Sequence, residues 1–426
     1  MVTAALFLGL AVFMTLSVPV GVAIGLAAVL AVFVGGTLTM TFVPMALVTG
    51  VDSFPIMAVP MFILAGELMS SGGISKRILN VCQVFFGRFP GGLAMVAVMT
   101  ALFFSSVSGS APATVAAVGS MLIPSMIEKG YDKRFVLGLL ATAGCMGVIF
   151  PPSIPMVLYG VATGASISGM FIAGFIPGLF VVSGLLLYVY FYSKKMGWKG
   201  EDQVYTGSQK LRALWDAKWA FVNPIIILGG IYGGFFTPTE AAGVAAVYAF
   251  FCGVVIYREL NFVRLWNSIG KACLTTGAVM IILGAATAFA RLLTIEQIPM
   301  ILANWMLGLT DNRILMLFYI NIFMLIVGLV IDPTPAMLIL SPILLPVAMS
   351  FGVHPIHFGM IMVISLSIGK ITPPIGINLF VASRIGNKRL EVVSRGVLPF
   401  VAVMTVILFI VTYIPQLSLF LPNLLL

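Results

Sequence analysis

Two stretches of the chain combine polar side chains with helix breakers in otherwise apolar surroundings. The first is Ser105-Ser106-Val107-Ser108-Gly109-Ser110-Ala111-Pro112, followed downstream by Gly147-Val148-Ile149-Phe150-Pro151-Pro152. The second is Asp332-Pro333-Thr334-Pro335, followed by Gly369-Lys370-Ile371-Thr372-Pro373-Pro374. A Pro-Pro pair removes two amide donors and clashes with helical carbonyls upstream, so carbonyl oxygens just before each pair are freed. Freed carbonyls beside hydroxyls form a small cage of hard oxygens, the ligand set that a Na⁺ ion takes. One site per stretch is expected: Ser105, Ser106 and Ser108 with Gly147 and Val148, then Asp332 and Thr334 with Gly369 and Thr372. Broken helices also present positive dipole ends that favour an anionic group. Ser110, Pro151, Lys370, Pro373 and Asn378 are the candidate contacts to such a substrate.

Lys370 lies near the centre of an apolar span, where an ammonium needs a partner. A substrate carboxylate or Asp332 could supply it; the plainer reading is a lysine that snorkels to an interface. For the serines and glycines the plainer reading is tight helix packing, with the prolines only kinking the chain. Two copies of the same arrangement favour binding sites.

Other chemistries lack their residues. The Gly-Lys pairs, Gly270-Lys271 and Gly369-Lys370, are followed by Ala272 and Ile371, and neither has a P-loop glycine upstream. Neither HExxH nor GxSxG occurs, so an enzyme has no visible catalytic set. His354 and His357 flank Pro355-Ile356 without a third ligand in view and read as a solvated loop pair. Asp52, Glu67, Glu240 and Arg291 read as interfacial, as do Trp215, Trp219, Trp266 and Trp305. Cys82, Cys145, Cys252 and Cys273 show no pairing pattern and read as free, buried thiols.

The elements that position these residues follow from composition. Of 426 residues 61% are hydrophobic and only 8% charged, against about 25% charged in a soluble domain; that excludes a soluble fold and a disordered chain. The net charge of +9 is the basic excess of cytoplasmic loops rather than a nucleic-acid footprint. The 44 Gly and 24 Pro point to broken or re-entrant helices. The chain is an all-α polytopic membrane protein.

About ten spans are expected, near 2–17, 19–36, 54–70, 135–160, 170–192, 220–236, 239–257, 272–293, 358–383 and 396–420. The stretches 91–127 and 314–349 are interrupted at their centres by the polar segments above and read as two re-entrant hairpins. Ile74–Phe89 and Tyr257–Lys271 read as interfacial amphipathic segments, and Ser193–Lys218 as a loop. The N-terminus lacks the features of a cleaved signal peptide, so the first run is expected to stay.

The two halves repeat. Pro151 and Pro373 lie 222 positions apart, as do Pro124 and Pro346, Gly130 and Gly352, Gly147 and Gly369, Gly164 and Gly386, and Pro177 and Pro399. After the first hairpin the loop carries Lys129, Lys133 and Arg134, whereas its equivalent, 350–357, has no Lys or Arg. One span later the bias reverses: 161–170 is uncharged, but its equivalent holds Arg384, Lys388 and Arg389, with Arg395 just beyond. Basic loops stay cytoplasmic, so equivalent loops face opposite sides, as an inverted repeat requires. Both termini then fall on the periplasmic side.

The segments Ser105–Pro124, Gly147–Pro155, Asp332–Pro346 and Gly369–Asn378 resemble the large membrane subunit of tripartite ATP-independent periplasmic (TRAP) transporters, over essentially the whole chain. The resemblance implies an elevator-type importer of the ion-transporter superfamily in the bacterial inner membrane. It implies coupling to Na⁺, with one ion at each hairpin tip and its facing broken helix. It also implies two partners, a small membrane subunit of about four helices on a separate polypeptide and a periplasmic substrate-binding protein that delivers an organic acid. Sialic acid is the favoured substrate and a C4-dicarboxylate the next. Lys370 replaces the apolar residue expected at its position. A stand-alone Na⁺/dicarboxylate carrier shares the hairpin plan and is the alternative, with a channel behind it. The expected layout is scaffold helices over 1–71, a first transport half over 72–192, a cytoplasmic loop and scaffold helices over 193–271, and a second transport half over 272–426.

Overall fold

Backbone in lipid must satisfy its own hydrogen bonds, and long apolar runs here do so as helices. The computed structural model describes residues 1–426 apart from Thr37, Asp202, Val204, Pro374, Ile375 and Leu426. All regular elements among the described residues are helical.

Helix α1 (Val2–Thr15) packs on α2 (Val20–Gly35), and α3 (Phe42–Val51) follows. A 3₁₀ turn leads into α4 (Ala58–Ser71), then the amphipathic α5 (Ile74–Phe86). The first hairpin is α6 (Gly92–Ser108) and α7 (Ala111–Glu128). The path through α8 (Lys133–Ala143), α9 (Met146–Ile149) and α10 (Ile154–Thr163) bends by 42° at the Pro-Pro break. After it come α11 (Ile167–Met196), α12 (Gly207–Tyr232), α13 (Pro238–Phe251), α14 (Phe262–Ile295) and α15 (Ile298–Leu309). The second hairpin is α16 (Arg313–Val330) and α17 (Pro333–Ser350). Its broken helix is α18 (Pro355–Gly369) with α19 (Ile377–Ile385), and α20 (Leu390–Tyr413) and α21 (Gln416–Leu425) close the chain.

Eight described helices are long and apolar enough to cross a membrane, or nine counting the bent pair as one. The runs near 2–17 and 19–36 form helices of 14 and 16 residues, about 21–24 Å long against a hydrocarbon core of about 30 Å. Ser17, at φ 60°, and Pro19 end the first of them.

The 222-residue offset extends to helix ends: α7 and α17 begin and end at equivalent positions, and so do the starts of α8 and α18. The two halves meet where the Cys145 thiol donates to the Ser367 carbonyl at 3.3 Å, across a separation of 222 residues. Equivalent residues can touch only near the axis that relates the halves, which places the pseudo-two-fold between α9 and α18.

Several expectations need correction. Ser193–Lys218 is not all loop, because the capping box of Thr206 with Gln209 starts α12 at Gly207. No separate interfacial helix covers Tyr257–Lys271. Asn261 caps α14 by accepting from the Arg264 amide at 2.9 Å, and the helix then runs for 34 residues without a proline. The boundary drawn at 271/272 therefore falls inside one helix. That helix packs on α2, α3 and α4; a side chain on Gly50 would run into Thr287, and one on Gly284 would meet the Leu47 carbonyl at 2.8 Å. Cys273 lies on the outer face of α14 and is exposed, unlike the three buried cysteines. His357 is fully buried rather than solvated. Pro355 begins α18, with His354 as its cap, so His357 sits inside the helix and meets the Thr412 carbonyl at 3.2 Å.

Candidate functional site at the two hairpin tips

In the first half α6 ends at Ser108, and the chain reverses at Gly109, whose φ of 59° is easy for glycine alone. Ser110, in extended conformation, then starts α7. The reversal gathers oxygens. Ser108 Oγ lies 3.0 Å from Thr114 Oγ1, and Thr114 Oγ1 donates to the Ser110 carbonyl at 2.9 Å. Gly147 of the broken helix abuts this group: a Cβ there would run into the Ser110 carbonyl and come within 2.7 Å of Thr114 Oγ1. Beside it, the Ile154 amide donates to the Gly109 carbonyl at 3.4 Å. Pro151 is buried.

Two sequence-based expectations change in detail. The Val148 carbonyl is not left free, since the Ser153 hydroxyl donates to it at 2.6 Å; a carbonyl keeps a second lone pair for another partner. Ser105 and Ser106 are buried but turn their hydroxyl protons back to the carbonyls of Leu102 and Phe103, at 2.6 and 2.7 Å. Their oxygens keep acceptor capacity only.

In the second half Asp332 caps α17, its Oδ1 accepting from the Thr334 amide at 3.0 Å. Its Oδ2 lies 3.5 Å from Lys370 Nζ. The lysine side chain is 6% exposed and the aspartate 25%, so the intramembrane ammonium has found a carboxylate. The gap exceeds the roughly 2.7–2.9 Å of a tight charge-assisted hydrogen bond. Asp332, Lys370, Gly328, Gly369 and Gly376 line a cavity of about 40 Å³, enough for one desolvated ion or a water. Gly369 is pressed against the Gly328 carbonyl, which no side chain would permit. Thr372 Oγ1 donates to the Ile368 carbonyl at 2.7 Å, and Pro373 is half-buried. Pro374, expected to complete this break, lies outside the described residues.

Asn378 ties the halves together. Its amide N donates to the Lys370 carbonyl at 3.2 Å, and Nδ2 donates to the Ala141 carbonyl at 3.0 Å. Its buried Oδ1 has no partner among the described residues.

The donor sets suit a hard monovalent cation. Among the described residues no group of three or more His, Cys, Asp or Glu could hold a transition metal. The first tip offers neutral oxygens alone; at the second, any cation shares Asp332 with an ammonium. Thr114 and Ser153 were missed by sequence reasoning. Thr114 stands one helical turn from Ser110, and Ser153 directly follows Pro151-Pro152, so both could have been found by extending the motifs. A buried network was also missed: Ser365 donates to Asn321 Oδ1 at 2.9 Å, and Asn321 donates to Thr412 Oγ1 at 3.0 Å.

Comparison with known proteins places this geometry. Residues 7–417 match the family model described as "Tripartite ATP-independent periplasmic transporter, DctM component". The chain is 45% identical to the isethionate TRAP transporter permease protein DctMQ of Oleidesulfovibrio alaskensis, covering 96% of this chain but 65% of that longer protein. It is 41% identical to the C4-dicarboxylate TRAP transporter large permease protein DctM of Pseudomonas aeruginosa, covering 87% of each. The sialic acid TRAP transporter large permease protein SiaM of Vibrio cholerae is 36% identical, with 95% of each covered. Among solved structures, the YdaH transporter of Alcanivorax borkumensis superposes with a TM-score of 0.62 at 15% identity over 87% of each chain, a likeness of fold alone. With the family model spanning nearly the whole chain and both hairpin–break units in place, the chain belongs to the DctM-component family, the large permeases of tripartite ATP-independent periplasmic transporters.

Proposed function

We propose that the chain imports an organic acid by Na⁺-coupled secondary transport in the bacterial inner membrane. It would work with a separate small membrane subunit and a periplasmic substrate-binding protein. The observation that carries this reading is the pair of hairpin tips, each packed against the broken helix of its own half, in halves that meet at Cys145 and Ser367. One Na⁺ sits at each tip. Ser105, Ser106, Ser108, Gly147 and Val148 form the first site, with Thr114 and the Ser110 carbonyl beside them. Asp332, Thr334, Gly369 and Thr372 form the second. Ser110, Pro151, Lys370, Pro373 and Asn378 face the substrate, and Asn378 Oδ1, without a partner among the described residues, supports a ligand there.

The hairpins and broken helices move as a unit against α1–α4 and α12–α14, in an elevator motion. The names of the relatives span a sulfonate, C4-dicarboxylates and sialic acid; their shared chemistry is an organic anion, with sialic acid our reading of this chain. The test is uptake into proteoliposomes holding this chain and the small subunit, driven by a Na⁺ gradient and fed by loaded binding protein. Uptake that runs equally on a K⁺ or proton gradient without Na⁺ refutes the coupling. A thermal-shift screen of the binding protein against sialic acid, isethionate and succinate decides the substrate.

A further inference from the structure

Between the helices assigned to the scaffold and those assigned to the moving unit lies a crevice of about 450 Å³. One wall is Phe42 of α3 with Thr287, Arg291 and Thr294 of α14; the other is Val161 of α10 with Leu338 of α17. Positions 287, 291 and 294 recur at helical spacing and so share one face of α14. The close packing of Gly50 on Thr287 and of Gly284 on Leu47 fixes that face to the scaffold. The volume lies within the range of small-molecule sites, about 300–1,000 Å³.

The crevice has one charge. Arg291 is exposed, and no carboxylate lies within ion-pair distance of it among the described residues. The other polar lining groups, Thr287 and Thr294, spend their hydroxyl protons on the Leu283 and Ala290 carbonyls at 2.9 and 3.0 Å. The guanidinium is therefore the free donor in an apolar slot, an arrangement that attracts a carboxylate or sulfonate and repels Na⁺. Its place is informative too. Val161 lies in the last turn of α10, just before the uncharged loop assigned to the periplasm, and α14 ends near Arg291, with Glu296 accepting from Thr3 at 3.1 Å beside the N-terminus. The crevice thus opens at the end where substrate would arrive.

We propose that this crevice is an entry station for the organic anion and that Arg291 is the positioning residue that draws it in before it reaches the hairpin tips. The proposal rests on the organic-acid reading above, and its test separates the two. A reporter thiol, Thr294→Cys, is placed in a Cys273→Ser background, since Cys273 is the exposed native thiol. With the small subunit present in proteoliposomes, its modification rates are compared for an anionic sulfonatoethyl and a cationic trimethylammonioethyl methanethiosulfonate. A guanidinium about 6 Å away in a water-like dielectric changes each rate about threefold in opposite senses. The anionic-to-cationic ratio should fall about tenfold in Arg291→Gln and stay unchanged in Arg291→Lys. Isethionate, succinate or N-acetylneuraminate, supplied on the loaded binding protein, should slow labelling beyond the effect of the empty binding protein in the unaltered background and in Arg291→Lys, where the positive charge is kept, and lose that added effect in Arg291→Gln. A ratio indifferent to Arg291→Gln, or protection that survives it, overturns the proposal. Absent uptake by the unaltered protein would instead strike the importer reading and leave the labelling ratio standing.

Discussion

Asp332→Asn and Lys370→Met remove opposite members of the same ion pair, yet they should not cost the same. Asp332→Asn leaves an ammonium whose side chain is 6% exposed facing a neutral amide. Breaking a buried pair from one side costs about 3–5 kcal/mol, and the quarter-exposed aspartate puts this variant at the lower end of that range. Lys370→Met leaves a carboxylate that still accepts from the Thr334 amide. Its loss is one interaction with a charged group, about 1.5 kcal/mol. The double variant should cost less than the sum of the two, with a coupling of about 2 kcal/mol. Equilibrium unfolding of the purified protein in a denaturing detergent mixture measures all three. Lys370→Met as damaging as Asp332→Asn, or a coupling below about 0.5 kcal/mol, refutes the pair as an energetic unit. Transport reads the same residue differently: Lys370→Met should raise the substrate requirement or abolish uptake while the protein still inserts, and wild-type uptake would make the lysine incidental.

Ser106→Ala and Thr372→Ala should each shift the Na⁺ dependence of uptake upward by roughly one to two decades, the loss of one interaction with a charged group; an unmoved dependence would remove that hydroxyl from its site. Gly147→Ala should cut uptake at least about tenfold, because the added methyl collides with the Ser110 carbonyl at a cost of about 1–3 kcal/mol. Gly243→Ala, with nothing within 4 Å of the new methyl, is its control, and equal activity of the two would show the close approach to be idle. Joining Phe42→Cys on α3 to Ala162→Cys on α10 across the crevice with a short crosslinker should stop uptake, whereas full uptake after crosslinking would rule out relative motion of those two walls.

The sequence carried the plan of the fold because its signals are periodic and paired. Polar, proline-rich interruptions located both hairpins, and prolines and glycines at one offset of 222 paired the two halves and their breaks, an offset that helix ends keep. Local capping was harder to see. Thr206 with Gln209 starts α12 inside a stretch that composition alone marks as loop, and Asn261 starts α14 where charge suggested an interfacial segment. His357 shows the same limit, since a polar pair flanking a proline reads as a turn, although proline at a first helical position is equally favourable. At the site, residue types were legible and directions were not. The four serines of the first tip look alike in sequence. Only the fold separates Ser105 and Ser106, bonded along their own helix, from Ser108, turned into the reversal with Thr114.

Those directions make the two tips unequal, and the inequality bears on coupling. The first tip gathers neutral oxygens from both arms of the hairpin against Gly147, so a cation entering it meets no competing charge. The second brings a carboxylate and an ammonium within 3.5 Å, beside a cavity of about 40 Å³. Under the proposed Na⁺ coupling, a cation there would weaken the hold of Asp332 on Lys370 and free the ammonium for another anion. An organic carboxylate at Lys370 would in turn release Asp332 for the cation. Each ligand thus lowers the electrostatic cost of the other, and a binding free energy shared in this way is reciprocal by necessity. Such an exchange would give the second half, on the proposed reading, a means of coupling ion to substrate that the neutral first half lacks, even though one repeat built both.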